Sequence, residues 1–360
     1  RVVKKFRYLR RIIMENIKVV IWGFGAMGKG MADMLVTKKG VTITGICDLH
    51  PDMIGNSAFK FMESKQGTHP EVLVSNDIES LLDRNNCDVV LLATDSYTKK
   101  AFPKMKMILE KGINVISTAE EMAYPKAQEP ELAEQLNNIA RENNVTVLGT
   151  GINPGFIMDL LVVALTGVMS DVTHIEANRV NSLSPFGPAV MEEQGVGITV
   201  DEFNHGVETD TLAGHVGFSE SILMIADAIG VKLDKFEQQM KPIVTNIDRK
   251  SKYGEALKGN VAGVNMTGQG IIDNKVFINM KHPQQIEPEM EGTHTGDYIT
   301  IKGTPDVNMA ITPEIDGGIG TIAMCVNMIP HVINAKAGLK TMIDLPVPRA
   351  IMGDMRNLLD

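Results

Sequence analysis

Two carboxylates stand side by side in the segment ISTAEEMAY (116–124), where Glu120 and Glu121 directly follow an apolar run. A carboxylate at the end of a buried strand, partly shielded from water, suits proton transfer to and from a substrate. The same pair also suits the charged start of an ordinary loop. The elements around the pair must decide between these two interpretations.

A second chemical signature is the glycine pattern GFGAMG, whose glycines form G-x-G-x-x-G. It follows an apolar strand-like run and opens a helix-like segment, which is the sequence context of a dinucleotide-binding turn. The glycines there permit a tight turn, approach of the pyrophosphate, and close helix–strand packing; the alternative is a purely structural turn. The predicted dinucleotide-binding residues are Gly23, Phe24, Gly25, Ala26, Met27 and Gly28.

Asp48 stands twenty residues after Gly28, at the end of the next strand-like run. A carboxylate at this position accepts hydrogen bonds from the ribose hydroxyls and repels a 2′-phosphate, which favours NAD over NADP. His50 softens that preference, so the use of NADP stays open. Asp48 also fits a turn-forming role before Pro51.

Short apolar runs alternate with longer amphipathic ones from Ile17 to Thr150, which predicts βαβ units and a parallel sheet. Ligands of such sheets bind beyond the carboxyl ends of the strands. The segments there are 93–96, 117–121 and 149–155. Ala93, Thr94 and Ser96 are therefore predicted to line the nicotinamide and its ribose, and the glutamate pair lies at the same edge.

After Gly155 the pattern changes to strands in direct succession joined by turns. This succession predicts an antiparallel or mixed sheet in an α+β domain. The expected fold class is therefore α/β, with an amino-terminal Rossmann domain followed by an α+β substrate and dimerisation domain. We expect these domains at 14–152 and 153–315, and a helix and tail at 316–360 that return to the first domain.

Four residues of the second half are candidates for substrate binding. Arg179 lies in a mostly apolar strand, where it suits either a carboxylate clamp or an ion pair at the sheet edge. Asn153 suits either a helix cap or a substrate hydrogen bond. His205 and His215 flank a polar stretch that contributes either to the pocket or to a surface loop.

Composition and charge exclude several classes of protein. The net charge is −9, and six of the 35 basic side chains fall within residues 1–13, so the rest of the chain is still more acidic. This balance argues against a nucleic-acid surface. No apolar run reaches membrane-spanning length, and the histidines, cysteines and carboxylates show no metal-ligand spacing. Three widely spaced cysteines fit buried free thiols in the cytoplasm.

The basic segment RVVKKFRYLRRII at residues 1–13 is followed neither by a long apolar region nor by a small-residue cleavage site. We interpret it as an upstream or non-native extension, with Met14 as the natural start, in preference to a basic membrane or interaction tail.

The motifs WGFGAMGKG, STAEEMAYP, GTGINPGF and EIDGGIGTIAMCVNMIPHV together resemble those of the 2,4-diaminopentanoate dehydrogenases. That family is part of the dihydrodipicolinate-reductase-like superfamily and is related in fold to meso-diaminopimelate dehydrogenase. The resemblance covers residues 14–347. The adjacent histidines and the DAPSGT segment of true dihydrodipicolinate reductases are missing here, which argues against that activity.

The resemblance implies NAD(P)-dependent oxidative deamination of 2,4-diaminopentanoate to 2-amino-4-oxopentanoate and ammonia in ornithine degradation, and a homodimer. The amine-handling glutamate of the family falls on the glutamate pair, and we favour Glu121 with Glu120 as its neighbour. Another amine, imine or amino-acid oxidoreductase on the same scaffold is an alternative. A dinucleotide-binding regulator without turnover is a third.

Overall fold

The computed structural model describes residues 15–360, and the predicted extension at residues 1–13 lies outside this range. The chain forms two compact units. The first unit runs up to Gly155 and resumes at Gly317–Asp360, and the second is Phe156–Asp316. The second unit is thus an insertion into the sequence of the first.

The strands of both units are numbered along the chain. They are β1 (Ile17–Trp22), β2 (Val41–Cys47), β3 (Val74–Ser75), β4 (Val89–Leu92), β5 (Asn114–Ser117), β6 (Thr146–Gly149), β7 (Asp171–Ser182), β8 (Lys235–Val244), β9 (Arg249–Lys250), β10 (Glu255–Ala256), β11 (Val261–Ile272), β12 (Lys275–Gln285), β13 (Gly296–Thr304), β14 (Val307–Ile311) and β15 (Gly338–Lys340).

The α-helices are numbered in the same way. They are α1 (Ala26–Val36), α2 (Thr98–Glu110), α3 (Pro130–Glu142), α4 (Leu160–Thr166), α5 (Pro188–Glu193), α6 (Val200–Glu208), α7 (Phe218–Ile229), α8 (Gly317–Asn327) and α9 (Ile329–Asn334). Short 3₁₀ segments occur at Glu79–Leu81, Glu120–Ala123 and Pro288–Glu291, among other places. None of the helices formed by residues 15–360 has both the length and the apolar character needed to cross a membrane.

The first unit is built on a parallel sheet with the strand order β15-β6-β5-β4-β1-β2-β3. Strands β4 and β6 are buried along their whole length, as expected for a parallel sheet covered on both faces. Helices α2 and α3 pack over one face, where Met105, Ile108 and Leu136 join a fully buried core. The α/β Rossmann prediction for this half is confirmed.

Two helix predictions in this unit are wrong. The stretch 77–85 forms only the 3₁₀ turn Glu79–Leu81, because the chain leaves helical conformation at Leu82, whose ψ is 66°. The stretch 317–342 is not one helix. It divides into α8 and α9, with Pro330 in the first turn of α9, and then leaves helical structure to form β15 beside β6.

The second unit contains a mixed sheet with the strand order β14-β13-β7-β12-β11-β8, as predicted. Strands β7 and β12 pair in parallel, and the other neighbours pair antiparallel. The hairpin between β11 and β12 turns at Asp273 and Asn274, which both have positive φ (51° and 58°). Aspartate and asparagine tolerate this conformation better than other non-glycine residues, which explains the turn that the sequence indicated.

Helix α7 covers one face of this sheet, hereafter the inner face. Strand β11 meets it with glycine: a Cβ atom at Gly268 would lie 2.6 Å from the ring of Phe218. At Gly270 a Cβ atom would lie 3.0 Å from the side chain of Ile222. Because both positions lack side chains, the helix packs directly on the strand backbone.

A buried arginine joins the segment that follows β8 to the segment at the end of β12. Arg249 is 2% exposed and donates hydrogen bonds to Thr245 Oγ1, Gln285 Oε1 and the carbonyl of Ile286, and it forms an ion pair with Glu291. Hydrogen bonds from Arg249, supplemented by Asn246 and Thr245, lower the pKa of Glu291 to about 2. A charge buried in this way is stable only while its partner stays ionised.

We predict that this ion pair makes the protein sensitive to acid. The folded-state pKa of Glu291, about 2, lies below the ordinary glutamate value of 4.5, so its contribution to stability is complete above pH 4.5 and is lost as the pH falls toward 2. In urea unfolding between pH 6 and pH 3, Glu291→Gln should therefore flatten the dependence of unfolding free energy on pH.

Glu255→Gln is the matched control, because Glu255 forms only an exposed ion pair with Lys250. This variant should keep the slope of the unmodified protein. An unchanged slope in Glu291→Gln would mean that the ion pair with Arg249 is not responsible for acid sensitivity.

Candidate active site

The turn between β1 and α1 is as tight as the glycine pattern predicts. Gly23 has φ +95°, and a Cβ atom there would lie 2.5 Å from the carbonyl oxygen of Ala93. A Cβ atom at Gly28 would overlap the carbonyl oxygen of Gly23. Neither position accepts a larger residue without displacing the backbone, so both glycines are required by the turn itself.

Gly25 differs, because the space around it is open. A Cβ atom at Gly25 would meet nothing within 4 Å, and the φ of −74° at this position suits any residue. The fold itself therefore does not require glycine here. Gly25 is the N-cap of α1, where no side-chain cap bond forms within the described chain and the first turn carries no acidic residue. The helix N-terminus thus presents backbone N–H groups and a positive partial charge, which fit a dinucleotide pyrophosphate.

Asp48 braces this turn from the end of β2. Its Oδ2 accepts a hydrogen bond from the backbone N–H of Phe24 at 2.6 Å, and its Oδ1 accepts one from His50 at 2.8 Å. Asp48 therefore has the turn-forming role that the sequence left open. Because a carboxylate accepts about four hydrogen bonds, two remain for ribose hydroxyls, and the preference for NAD stays a prediction.

The loop after β4 is held by an ion pair that the sequence did not suggest. Asp95 Oδ2 lies 2.6 Å from Lys104 Nζ, and both side chains hydrogen-bond Thr94 Oγ1. Ala93 and Thr94 lie directly against Gly23. The loop 93–96 is thus fixed beside the glycine turn, and a lysine nearly two helical turns into α2 was the signal available in the sequence.

The two glutamates occupy different surroundings in the 3₁₀ segment after β5. Glu121 is 8% exposed, and its Oε2 accepts a hydrogen bond of 2.7 Å from Thr98 N–H, the first residue of α2. Its own N–H donates to the carbonyl of Ser96. Glu120 is half-exposed. Glu121 therefore acts as a cap that joins α2 to the loop 93–96, whereas Glu120 is the more exposed of the two.

Asn153 is half-buried in the segment after β6. It does not begin a helix. Helix α4 starts seven residues later, and its N-cap is Asp159, which accepts a hydrogen bond from Leu160 N–H and another from Ser221. The capping role proposed for Asn153 is wrong, since residues 154–159 do not continue into a helix; its substrate role stays a prediction.

The second unit carries a cluster of buried polar side chains, here called the polar patch: Arg179, Asn181, His282, Gln284 and Asp297. Register places Arg179 opposite Asp297 and Asn181 opposite Gln284. All five are at most 6% exposed. Because side chains alternate between faces, the patch shares the inner face with the apolar residues Ile175, Ala177, Ile278 and Met280. One face thus changes from apolar to polar along its length.

Arg179 lies at the centre of this patch rather than at a sheet edge. Its guanidinium forms an ion pair with Asp297 at 2.5 Å and donates to the carbonyl of Ile315 at 2.6 Å. Strand β7 lies between β12 and β13, so the expectation of an edge position is wrong. With two donors already engaged, Arg179 shapes the patch, and direct contact with a substrate stays a prediction.

His215 joins the patch through His282. Their rings are 4.8 Å apart and perpendicular, and His282 Nδ1 lies 2.8 Å from the carbonyl oxygen of Arg179. Burial, followed by the charge of Arg179, lowers the pKa of His215 to about 4. Burial also lowers the pKa of His282, as do His215 and Arg179. Both rings are neutral near pH 7. Since a carbonyl only accepts, His282 Nδ1 donates, and Nε2 is the acceptor of that ring.

Two buried polar atoms of the patch have no hydrogen-bond partner among residues 15–360: Asn181 Oδ1, an acceptor, and Gln284 Nε2, a donor. Buried polar groups are normally satisfied, so orphaned ones mark places for a ligand or water. His205 is not part of this arrangement. It lies exposed on α6, where the sequence suggested a polar stretch.

The described residues include neither a group placed to bind a metal ion nor an exposed, reactive thiol. No group of three or more histidine, cysteine or carboxylate side chains within 15–360 is placed to hold a metal ion. Cys47, Cys87 and Cys325 are buried free thiols, as predicted, and burial raises their pKa values to about 11, 12 and 12. Such thiols stay protonated and unreactive near neutral pH.

Sequence reasoning missed most of the polar patch. Asn181, His282, Gln284 and Asp297 were not singled out, because each looks like an ordinary polar residue until the strands are paired. One local signal existed. Along β7 and again along β12, every second residue changes from apolar to polar, from Ile175 to Asn181 and from Ile278 to Gln284.

Two family models match the chain. Residues 17–150 match an oxidoreductase family with an NAD-binding Rossmann fold. Residues 156–360 match the 2,4-diaminopentanoate dehydrogenase C-terminal domain. Together the two matches cover both units.

Known proteins resemble the chain along nearly its whole length. A 2,4-diaminopentanoate dehydrogenase of Acetoanaerobium sticklandii is 61% identical over 96% of this chain and 98% of that protein. An amine dehydrogenase of Streptomyces virginiae is 22% identical over 93% of this chain and 98% of that protein. Among solved structures, an amine dehydrogenase from Mycobacterium smegmatis has a TM-score of 0.83 at 24% identity, covering 94% of this chain and 98% of that one.

The glycine turn yields a paired prediction. Gly25→Ala should fold normally but bind NAD(P) roughly tenfold more weakly or worse, because its methyl group fills the space that the pyrophosphate approaches. Gly28→Ala should lose about 1–3 kcal/mol of stability, because its Cβ overlaps the carbonyl of Gly23.

Cofactor titration and thermal unfolding of both variants separate the two effects. If Gly25→Ala bound the cofactor as tightly as the unmodified protein, the open space at Gly25 would not be the pyrophosphate position.

Proposed function

The chain belongs to the 2,4-diaminopentanoate dehydrogenase family, and from this premise we propose that it catalyses the oxidative deamination of 2,4-diaminopentanoate. With NAD(P) as oxidant and water as co-substrate, the products are 2-amino-4-oxopentanoate, ammonia, NAD(P)H and a proton. The 61% identity to an enzyme of that name, extending over 96% of the chain, carries the proposal. The reverse reaction is a reductive amination.

The residues of the first unit fit the cofactor. The uncapped N-terminus of α1 and the open space at Gly25 would hold the pyrophosphate, and Asp48 would hold the adenosine ribose. The ordered loop of Ala93, Thr94 and Ser96 would line the nicotinamide end. Bound NAD(P) supplies the acceptor for the hydride that leaves C4 of the substrate.

The polar patch supports recognition of the amino-acid end of the substrate. That end carries a carboxylate and an ammonium group, so it needs both donors and acceptors. Gln284 Nε2 is an orphaned donor, Asn181 Oδ1 is an orphaned acceptor, and His282 Nε2 is a further acceptor of the patch. Buried sites of this kind reject analogues that leave their polar groups unpaired.

Proton transfer is assigned to Glu120. The C4 amine must be deprotonated before its carbon gives up hydride, and a proton must later pass to the departing ammonia. Glu120 is half-exposed, whereas the carboxylate of Glu121 holds the first N–H of α2. The geometry therefore moves our preference from Glu121 to Glu120. The proposed role of Glu121 is to hold the 3₁₀ segment Glu120–Ala123 against the start of α2.

Two further features belong to this proposal. A homodimer is carried over from the resemblance to the family. A cytoplasmic location agrees with the three free thiols, since disulfides form and persist mainly in oxidising compartments.

The activity itself is tested by following NAD(P)H formation at 340 nm with purified protein and 2,4-diaminopentanoate. We expect turnover with this substrate and a kcat/KM at least about 100-fold lower for pentan-2-amine, which lacks the amino-acid end. Turnover of neither compound, by folded protein that binds NAD(P), would contradict the proposed function. Equal turnover of both would contradict the role of the polar patch.

The roles of the two glutamates are tested by a pair of variants. Glu120→Gln should lose about 10²- to 10⁴-fold in kcat, because the amide cannot take up a proton. Its affinity for NAD(P) should change little. Glu121→Gln should keep most of the rate, because its amide oxygen can still accept from Thr98 N–H.

Steady-state kinetics with cofactor titration distinguish these outcomes. A large loss of kcat in Glu121→Gln together with a normal rate in Glu120→Gln would reverse the assignment.

A further inference from the structure

A cavity lies in the first unit, away from the glycine turn. Its volume is about 390 Å³, and it is lined by residues of α9, β15 and the segment that follows them, including His331, Lys336, Lys340, Asp344 and Arg349. Strand β15 is the edge strand and stands four strand spacings from β1. At about 4.8 Å per spacing, that separation is about 19 Å. None of the residues assigned to the cofactor or to proton transfer lines it.

The cavity brings together three basic side chains. Within residues 15–360, Lys336, Lys340 and Arg349 form no ion pair or side-chain hydrogen bond, in contrast to the paired Lys302. Two aspartates also line the cavity: Asp360, and Asp344, which accepts hydrogen bonds from the N–H and hydroxyl of Thr341 at 2.8 Å each. The basic side chains thus exceed the aspartate side chains by one charge, and none of the three is held in an ion pair.

His331 supplies a buried polar group at the same place. Its side chain is 6% exposed, and its Nε2 has no hydrogen-bond partner in the described chain. Burial and the neighbouring charge of Arg349 both lower the pKa of its ring. An orphaned buried nitrogen beside three unpaired cations calls for a partner with acceptor oxygens.

We propose that this cavity is a binding site for a small phosphate-bearing molecule, held by Lys336, Lys340 and Arg349 and by a hydrogen bond from His331 Nε2. A phosphate group carries about two negative charges and three acceptor oxygens, which match several cations and one donor. Arginine recognises such a group through two parallel hydrogen bonds. The volume is that of sites for small ligands. Occupancy would connect α9, the edge strand and residues 344–349, and thereby stabilise the first unit.

The test uses inorganic pyrophosphate as the probe and the full chain saturated with NAD(P), so that the pyrophosphate position at the glycine turn is already filled. Calorimetric titration at constant ionic strength should give a dissociation constant below about 1 mM. The double variant Lys340→Gln/Arg349→Gln should weaken binding at least tenfold. Lys232→Gln is the matched control, an exposed lysine of the second unit without an ion pair, and should bind as the unmodified protein does.

Three results would overturn the proposal: no binding up to 10 mM pyrophosphate, equal weakening in the control and the double variant, or tighter binding of citrate than of pyrophosphate. The last would assign the cavity to carboxylates. Affinity for NAD(P) should be the same in all variants, so failure of this site is distinguishable from failure of the proposed dehydrogenase activity.

Discussion

The first unit depends on how closely the backbone folds back on itself between β1 and α1. Gly28 lies so near the carbonyl of Gly23 that no side chain fits, and Gly23 in turn lies close to the carbonyl of Ala93. Two segments far apart in sequence, the glycine turn and the loop after β4, therefore meet through backbone atoms. Asp48 and Glu121 complete the arrangement by accepting backbone N–H groups of Phe24 and Thr98. The site is thus held by backbone contacts and by two carboxylates that accept backbone N–H groups.

The second unit meets a different constraint, because the inner face of its sheet carries both an apolar core and buried polar side chains. The inner face is apolar where Ile175 and Ile278 lie side by side, and polar where Asn181 and Gln284 do. The ion pair of Arg179 with Asp297 compensates its own charges and leaves neutral groups for a ligand. Burial keeps His215 and His282 uncharged, so the patch offers defined donors and acceptors rather than net charge.

The parts of the fold that could be predicted are those specified by local pattern. Alternating runs gave the parallel sheet, and the glycine spacing together with Asp48 gave the turn. The helix expected at 77–85 is only a 3₁₀ turn, because the chain leaves helical conformation at Leu82. The polar patch was largely out of reach, since Arg179 and Asp297 are 118 residues apart and only strand pairing brings them together. The different surroundings of the two adjacent glutamates likewise depend on a tertiary contact, because only the folded chain shows that Glu121 accepts the N–H of Thr98.

The interrupted sequence of the first unit has a consequence for biosynthesis. Its edge strand β15 and the helix α8, whose Ile322 packs against Gly30 of α1, come from the last 44 residues, after the whole second unit. During synthesis the whole second unit therefore leaves the ribosome before the first unit can be completed. Until then the face of α1 and the edge of β6 stay uncovered, and exposed strand edges invite association with other chains. During this interval the nascent chain is most open to such association, because the first unit cannot be completed until residues 317–360 have been made.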